Sequence, residues 1–240
     1  MDDRPTKTTE RAQWNDIDMT ETEWLQGSDP AAMLKFLLHA SLISPSDRRL
    51  RLYACACCRR IWNALPDPSH RDLVAAVEDH PDGSFDNPIL QNAIVALSRR
   101  EREFVADNAF RAVKFLGRSF YKVRALDSAF MVPKYAALGV CDERENKSEE
   151  TAQATLLRDV FGNPFRPLPT VDPAWSVANN GTVERTAQVI YDQRDFAQMP
   201  MLADALEQAG CTTRELLEHC RGNGTHVRGC WVLDLMLDKE

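Results

Sequence analysis

Apolar residues recur along most of this chain at intervals of three and four, the period of a helix with a buried face. The clearest case is the stretch 46–65. Leu50, Ala54, Cys57, Ile61 and Leu65 form one stripe, and Tyr53, Cys55, Cys58 and Trp62 widen it almost round the helix. A helix apolar on most sides is enclosed by several neighbours, so this element is expected at the centre of the fold. Ser46 is placed to accept a first-turn amide and Asp47 faces the positive helix end, while Pro45 discourages helix upstream. Arg48, Arg49, Arg51, Arg59 and Arg60 lie near the two ends, where long side chains reach water.

The same periodicity organises the rest. Residues 1–18 are polar and aperiodic and are expected to be disordered. Thr20 and Glu23 have the spacing of a capping box for a helix carrying Trp24 and Leu25. Asp29-Pro30 opens the next, with Met33, Leu34, Leu37 and Leu38 inward, and Asp67-Pro68-Ser69 opens another with Leu73, Val74 and Val77. After a turn at 80–83, Asn87-Pro88 starts a long apolar run, one helix or two, that Gly117 ends. Residues 118–140 resume with Phe120, Tyr121, Val123, Leu126 and Phe130 and break at Pro133.

The charged run 141–150 reads as a connector, followed by a helix that stops at Gly162-Asn163-Pro164. Four prolines within 163–181 predict a surface loop pinned by Trp175. Helices over about 182–192, 200–209 and 213–221 follow, then a last one with Trp231, Val232, Leu235 and Met236. No stretch alternates convincingly as a strand would. The expectation is therefore all-α: about ten helices around a buried central one, with an extension 1–18, an N-terminal helical subdomain 19–140 and a C-terminal one 141–240.

Composition narrows the classes. At 240 residues and 44% hydrophobic, the chain can build one large core or two small ones. A net charge of −7 argues against non-specific nucleic-acid binding by the whole molecule, though not by a local patch. No apolar run approaches a membrane span, and the polar N-terminus is no signal peptide. Seven cysteines, three of them crowded on one helix, fit reduced thiols in a cytoplasm better than a disulfide framework.

Three stretches invite chemistry. Cys55, Cys57 and Cys58 suggest a metal, but 57 and 58 point about 100° apart on a helix, and small buried thiols are the expected reading. In 211–230, Cys211, Cys220, His226 and Cys230 are candidate ligands for a tetrahedral zinc. Their spacing matches no zinc motif, and Cys211 lies about 13 Å of helix rise from Cys220. A helix–loop–helix corner is preferred there, with His219 or His226 bonding backbone carbonyls, the cysteines filling space, and no metal or other cofactor bound. A Cys230–His226 nucleophile pair oriented by Asp234 is a third arrangement at that corner. Finally, Arg111, Lys114, Arg118, Lys122 and Arg124 interleave with Phe115, Phe120 and Tyr121, as suits phosphates and stacked bases. The plainer reading is an amphipathic helix with a solvated basic face. The carboxylate pairs Glu149-Glu150 and Asp142-Glu143 read as solvated charge.

Several segments carry a resemblance. Met19–Leu25 (MTETEWL), Asp29–Leu37 (DPAAMLKFL), Arg51–Trp62 (RLYACACCRRIW), Leu156–Pro167 (LLRDVFGNPFRP), Ile190–Phe196, Leu202–Cys211 and His219–Leu237 resemble an uncharacterised bacterial family met mainly in planctomycetes. The likeness covers both ends of the chain and little of 80–150, and it implies no activity, cofactor or catalytic residue. Family-like text begins at Met19, which can itself serve as an initiator. The functional expectation is thus a non-catalytic cytoplasmic interaction or scaffold module whose partner is another protein. The alternatives are a nucleic-acid-associated protein using 111–124 and a small structural-zinc protein using 211–230.

Overall fold

The computed structural model describes residues 18–39, 45–65, 67–84, 86–99, 101–104, 107–120, 124–139 and 143–239. Among them every regular element is a helix, as the periodicity predicts. Of the expected extension 1–18, residues 1–17 lie outside the described residues. No helix among those described is long and apolar enough to cross a membrane.

α1 (Glu21–Gln26) begins at the expected capping box. Thr20 Oγ1 accepts from the Glu23 amide at 3.2 Å, and the Glu23 carboxylate accepts from the Thr20 amide at 2.7 Å. Its buried Trp24 donates its indole N–H to the Gly162 carbonyl at 3.0 Å. α2 (Pro30–His39) starts from the Asp29 carboxylate, which accepts from the amides of Ala31 and Ala32.

α3 (Asp47–Arg60) is the central helix. Ser46 accepts from the Arg49 amide at 3.3 Å, and every residue from Leu50 to Cys58 is buried. Cys55, Cys57 and Cys58 pack as small apolar groups, and burial pushes all three thiols up from their ordinary pKa. The basic ends depart from the expectation of solvated arginines. Arg48 and Arg51 are buried: Arg48 forks onto Asp234 at 2.5 and 3.1 Å, and Arg51 donates to the carbonyls of Pro81 and Ser119. An arginine goes inside when its planar fork meets ready acceptors, which sequence spacing does not reveal.

The next helices are α4 (Pro68–Asp79), α5 (Pro88–Arg99), α6 (Glu101–Phe104) and α7 (Asn108–Arg118). The long apolar run is therefore three helices. It does not stop at Gly117, which lies inside α7, where an added Cβ would sit 2.9 Å from a Leu73 methyl. α8 (Ala125–Leu138) continues through Pro133. Proline removes one amide and clashes with the preceding turn, but α8 is clasped along its length by α3 and α7, and this packing outweighs the break.

α9 (Glu143–Phe161) replaces the expected connector. Glu, Lys, Gln, Ala and Leu are good helix formers, and no Pro or Gly interrupts them. Glu149 is buried and pairs with Arg60 at 2.8 Å, so this carboxylate is not the solvated charge the sequence suggests. Glu143 opens α9, and Asp142 lies outside the described residues. The remaining helices are α10 (Pro173–Val177), α11 (Thr182–Gln193), α12 (Met199–Gln208), α13 (Arg214–Arg221) and α14 (Trp231–Met236). Trp175 is buried as expected, but it lies in α10, so the stretch expected as a loop is helical over Pro173–Val177 and again over Ala178–Asn180.

Buried side chains form two clusters. One runs from Trp24 to Phe161 and the other from Trp175 to Met236. Since α9 packs on α2, α3 and α8, the clusters divide after Phe161, whereas the charge pattern places a boundary at 141. The seam between them is polar: Arg48 meets Asp234 and Tyr191, Arg194 pairs with Glu78 at 2.9 Å, and Arg228 reaches Asp79.

Candidate metal centre

Four side chains from two stretches of chain, α9 and 219–230, meet at this seam. Asp159 lies in the last turn of α9, His219 in the last turn of α13, His226 in the loop after it, and Cys230 caps α14. One donor atom from each of the four lies within 4.8 Å of all the others. Asp159 Oδ1 is 2.7 Å from His226 Nδ1 and 3.2 Å from His219 Nε2. Cys230 Sγ is 3.1 Å from His219 Nε2 and 3.8 Å from His226 Nδ1.

The chain reaches this geometry through its local grammar. α13 ends at Gly222, and Gly229 takes φ +93°, a conformation that suits glycine. An added Cβ there would also lie 3.0 Å from Leu52, so the segment passes close over the central helix. Gly162, with φ +68°, ends α9 and lies against the Trp231 ring. These tight approaches bring Asp159 to residues sixty and more positions later.

Electrostatics explain why the cluster holds together. Burial pushes the Asp159 carboxyl up, but hydrogen bonds from His219 and His226 outweigh burial and hold it below its ordinary value of 3.8. Its second oxygen accepts from the Val227 amide at 2.9 Å. Burial, and then the Asp159 charge, push the Cys230 thiol far up, so without a cation the thiol stays protonated. Trp231 Nε1 is a donor only, and it lies 3.1 Å from His219 Nδ1. His219 Nδ1 therefore accepts, which puts the proton of the neutral ring on Nε2, facing Asp159 and Cys230. Metal-free, the cluster is a hydrogen-bonded network.

It is also a set of soft and borderline donors at coordination spacing. A tetrahedral zinc with bonds of about 2.0–2.3 Å holds its ligand atoms about 3.3–3.8 Å apart. The donor pairs here stand 2.7–3.8 Å apart, so an ion enters once the Asp159–His226 and His219–Cys230 pairs, at 2.7 and 3.1 Å, open by a few tenths of an ångström. One thiolate, two imidazoles and one carboxylate suit zinc and disfavour magnesium or calcium. Four protein donors fill a tetrahedron and leave no open position, the arrangement of a structural site. A shallow hollow of about 190 Å³, lined among others by Thr155, His219, Thr225 and His226, opens over the histidine side.

Of the four ligand candidates read from the sequence, the structure brings His226 and Cys230 into this cluster. Cys211 and Cys220 are buried in the second apolar cluster instead, and the Cys220 thiol is pushed up to about 12 by burial. The set is completed by His219, expected only to bond a carbonyl, and by Asp159, which sequence reading missed. The pattern H-x6-H-x3-C at 219–230 is a usable local signal, but nothing near Asp159 announces it. The nucleophile arrangement is corrected on two points. Asp234 is held by Arg48 rather than orienting His226, and Cys230 is fully buried with its thiol held protonated.

The basic stretch is placed differently. Arg111, Lys114 and Arg118 lie partly exposed along α7, Arg124 pairs with Asp127, and Lys122 lies outside the described residues. Two of its aromatics are engaged elsewhere: Phe115 stacks on Tyr135 at 5.6 Å, and Phe120 underlies the Arg51 guanidinium at 4.3 Å, while Tyr121 lies outside the described residues. Phe115 and Phe120 are not open platforms for bases. Comparison of the chain with protein-family models, with curated proteins and with solved structures finds no match.

Proposed function

We propose that this chain is a metal-binding helical module in which zinc, held by Asp159, His219, His226 and Cys230, braces the second helical cluster against the first. The observation that carries the reading is the convergence of four donor atoms from two separate stretches, α9 and 219–230, within 4.8 Å. The filled tetrahedron supports a brace rather than a hydrolytic centre. Without the ion, Asp159 Oδ1, His219 Nε2, His226 Nδ1 and Cys230 Sγ lie within hydrogen-bond reach of one another, which makes the brace reversible. A scaffold or interaction module is the role such a brace serves best.

The test is a titration of metal-free protein with Zn²⁺ against a competing chromophoric chelator, with elemental analysis of the product. One zinc per chain is expected, lost in Asp159→Asn and Cys230→Ser. At free zinc of 100 times Kd, binding stabilises by about 2.7 kcal/mol. That corresponds to a Tm rise of roughly 5–11 °C for a chain of this size. Absence of binding at micromolar zinc, or stoichiometric binding that both substitutions leave intact, would overturn the proposal.

A further inference from the structure

We infer that Trp231 is a positioning residue that sets the metal affinity of this centre by fixing the tautomer of His219. The inference rests on the metal-binding reading above and deepens it. An indole N–H only donates, so at 3.1 Å the Trp231 ring requires a lone pair on His219 Nδ1. The two rings are held in this relation, with centroids 5.1 Å apart at an interplanar angle of 60°. Trp231 cannot easily turn away, because it is buried and its face lies on Gly162. His219 thus presents Nε2–H, not a lone pair, toward Asp159 and Cys230.

Coordination needs the opposite tautomer. To bind a cation at Nε2, the neutral ring must release that proton to solvent and take one from solvent on Nδ1. Two N–H groups, of Trp231 and His219, would then face each other across the former hydrogen bond. Metal-ligating histidines ordinarily donate their second N–H to an acceptor, which lowers the cost of holding the metal. Here the second position of His219 meets a donor, so Trp231 opposes loading. The metal-free network is correspondingly favoured, and the centre is tuned for release as well as capture.

Trp231→Phe keeps the ring and removes only the N–H. Zn²⁺ affinity, read by competition with a fluorescent chelator, is expected to tighten about tenfold, the equivalent of relieving one opposed buried donor. Damage to packing would weaken binding, so tightening is not a structural side effect. One zinc bound with unchanged or weaker affinity overturns the inference. Failure of the wild-type chain to bind zinc overturns it together with the metal reading and is told apart by that control. A second measurement needs no variant: ¹⁵N NMR of wild-type histidine rings. The expected result is His219 protonated on Nε2 without zinc and on Nδ1 with it. A metal-free ring already protonated on Nδ1 would refute the assignment.

Discussion

Removing the carboxylate of Asp234 tests how the two helical clusters are joined. Asp234 is fully buried and is gripped by both terminal nitrogens of Arg48, itself only 4% exposed. Asp234→Ala leaves a guanidinium in the interior with one strong partner left, the Tyr191 hydroxyl at 3.0 Å. Asp82 stands 3.4 Å from Arg48 Nε, but at 70% exposure its help is screened by solvent. Breaking a buried pair from one side costs about 3–5 kcal/mol, which here means a Tm fall of roughly 6–20 °C.

The double variant Arg48→Met with Asp234→Leu behaves differently. Burial pushes the Asp234 carboxyl up even beside Arg48, a sign that desolvation consumes much of the attraction. An apolar pair of similar bulk avoids that cost and forfeits one hydrogen bond at Tyr191, worth about 1 kcal/mol. The double variant should therefore lie within about 2 kcal/mol of wild type. Urea titrations followed by circular dichroism give both numbers, provided m is unchanged. If Asp234→Ala loses under about 1 kcal/mol, or the double variant is as unstable as the single, the account of the seam is wrong.

Four further outcomes follow from the same structure. In metal-free protein, the depressed Asp159 pKa contributes stability that is fully present above the unfolded value and lost as pH falls through the folded one. Asp159→Asn should flatten that acid limb of a Tm-versus-pH curve, and an identical limb in both proteins would refute the assignment. The six described thiols are buried, so thiol-reactive dye should label them only on unfolding, and native Cys57 reacting like a free model thiol would break the packing scheme. Cys57→Asp buries an unpaired charge and should abolish the cooperative melt. With Phe115 and Phe120 engaged in packing, single-stranded RNA should bind negligibly. A salt-dependent affinity lost in Lys114→Glu/Arg118→Glu would restore a nucleic-acid role.

What was legible in the sequence was local. Ser46, Thr20 with Glu23, and the stripe through Cys57 declare themselves because caps and helical periodicity act over a few residues. Within the stretch 141–150, the helix from Glu143 on is hidden in the sequence because a charge run and the start of a helix look alike until Glu149 meets Arg60 across the fold. Arg48 gave no sign of burial, since its acceptor lies 186 positions away. The candidate centre divided the same way. His226 and Cys230 stood out as ligand types in one segment, while Asp159 became a partner only through the close approaches at Gly162 and Gly229.

The Arg48–Asp234 pair also sets a clock on biosynthesis. Arg48 leaves the ribosome long before its partner, and at about 5–20 residues per second the 186 intervening residues take roughly 10–40 s. Throughout that interval the central helix carries a cation that its finished surroundings would bury. A nascent chain therefore cannot close the seam early without trapping an uncompensated charge. The arginine thereby delays docking of the two clusters until Asp234 has been made.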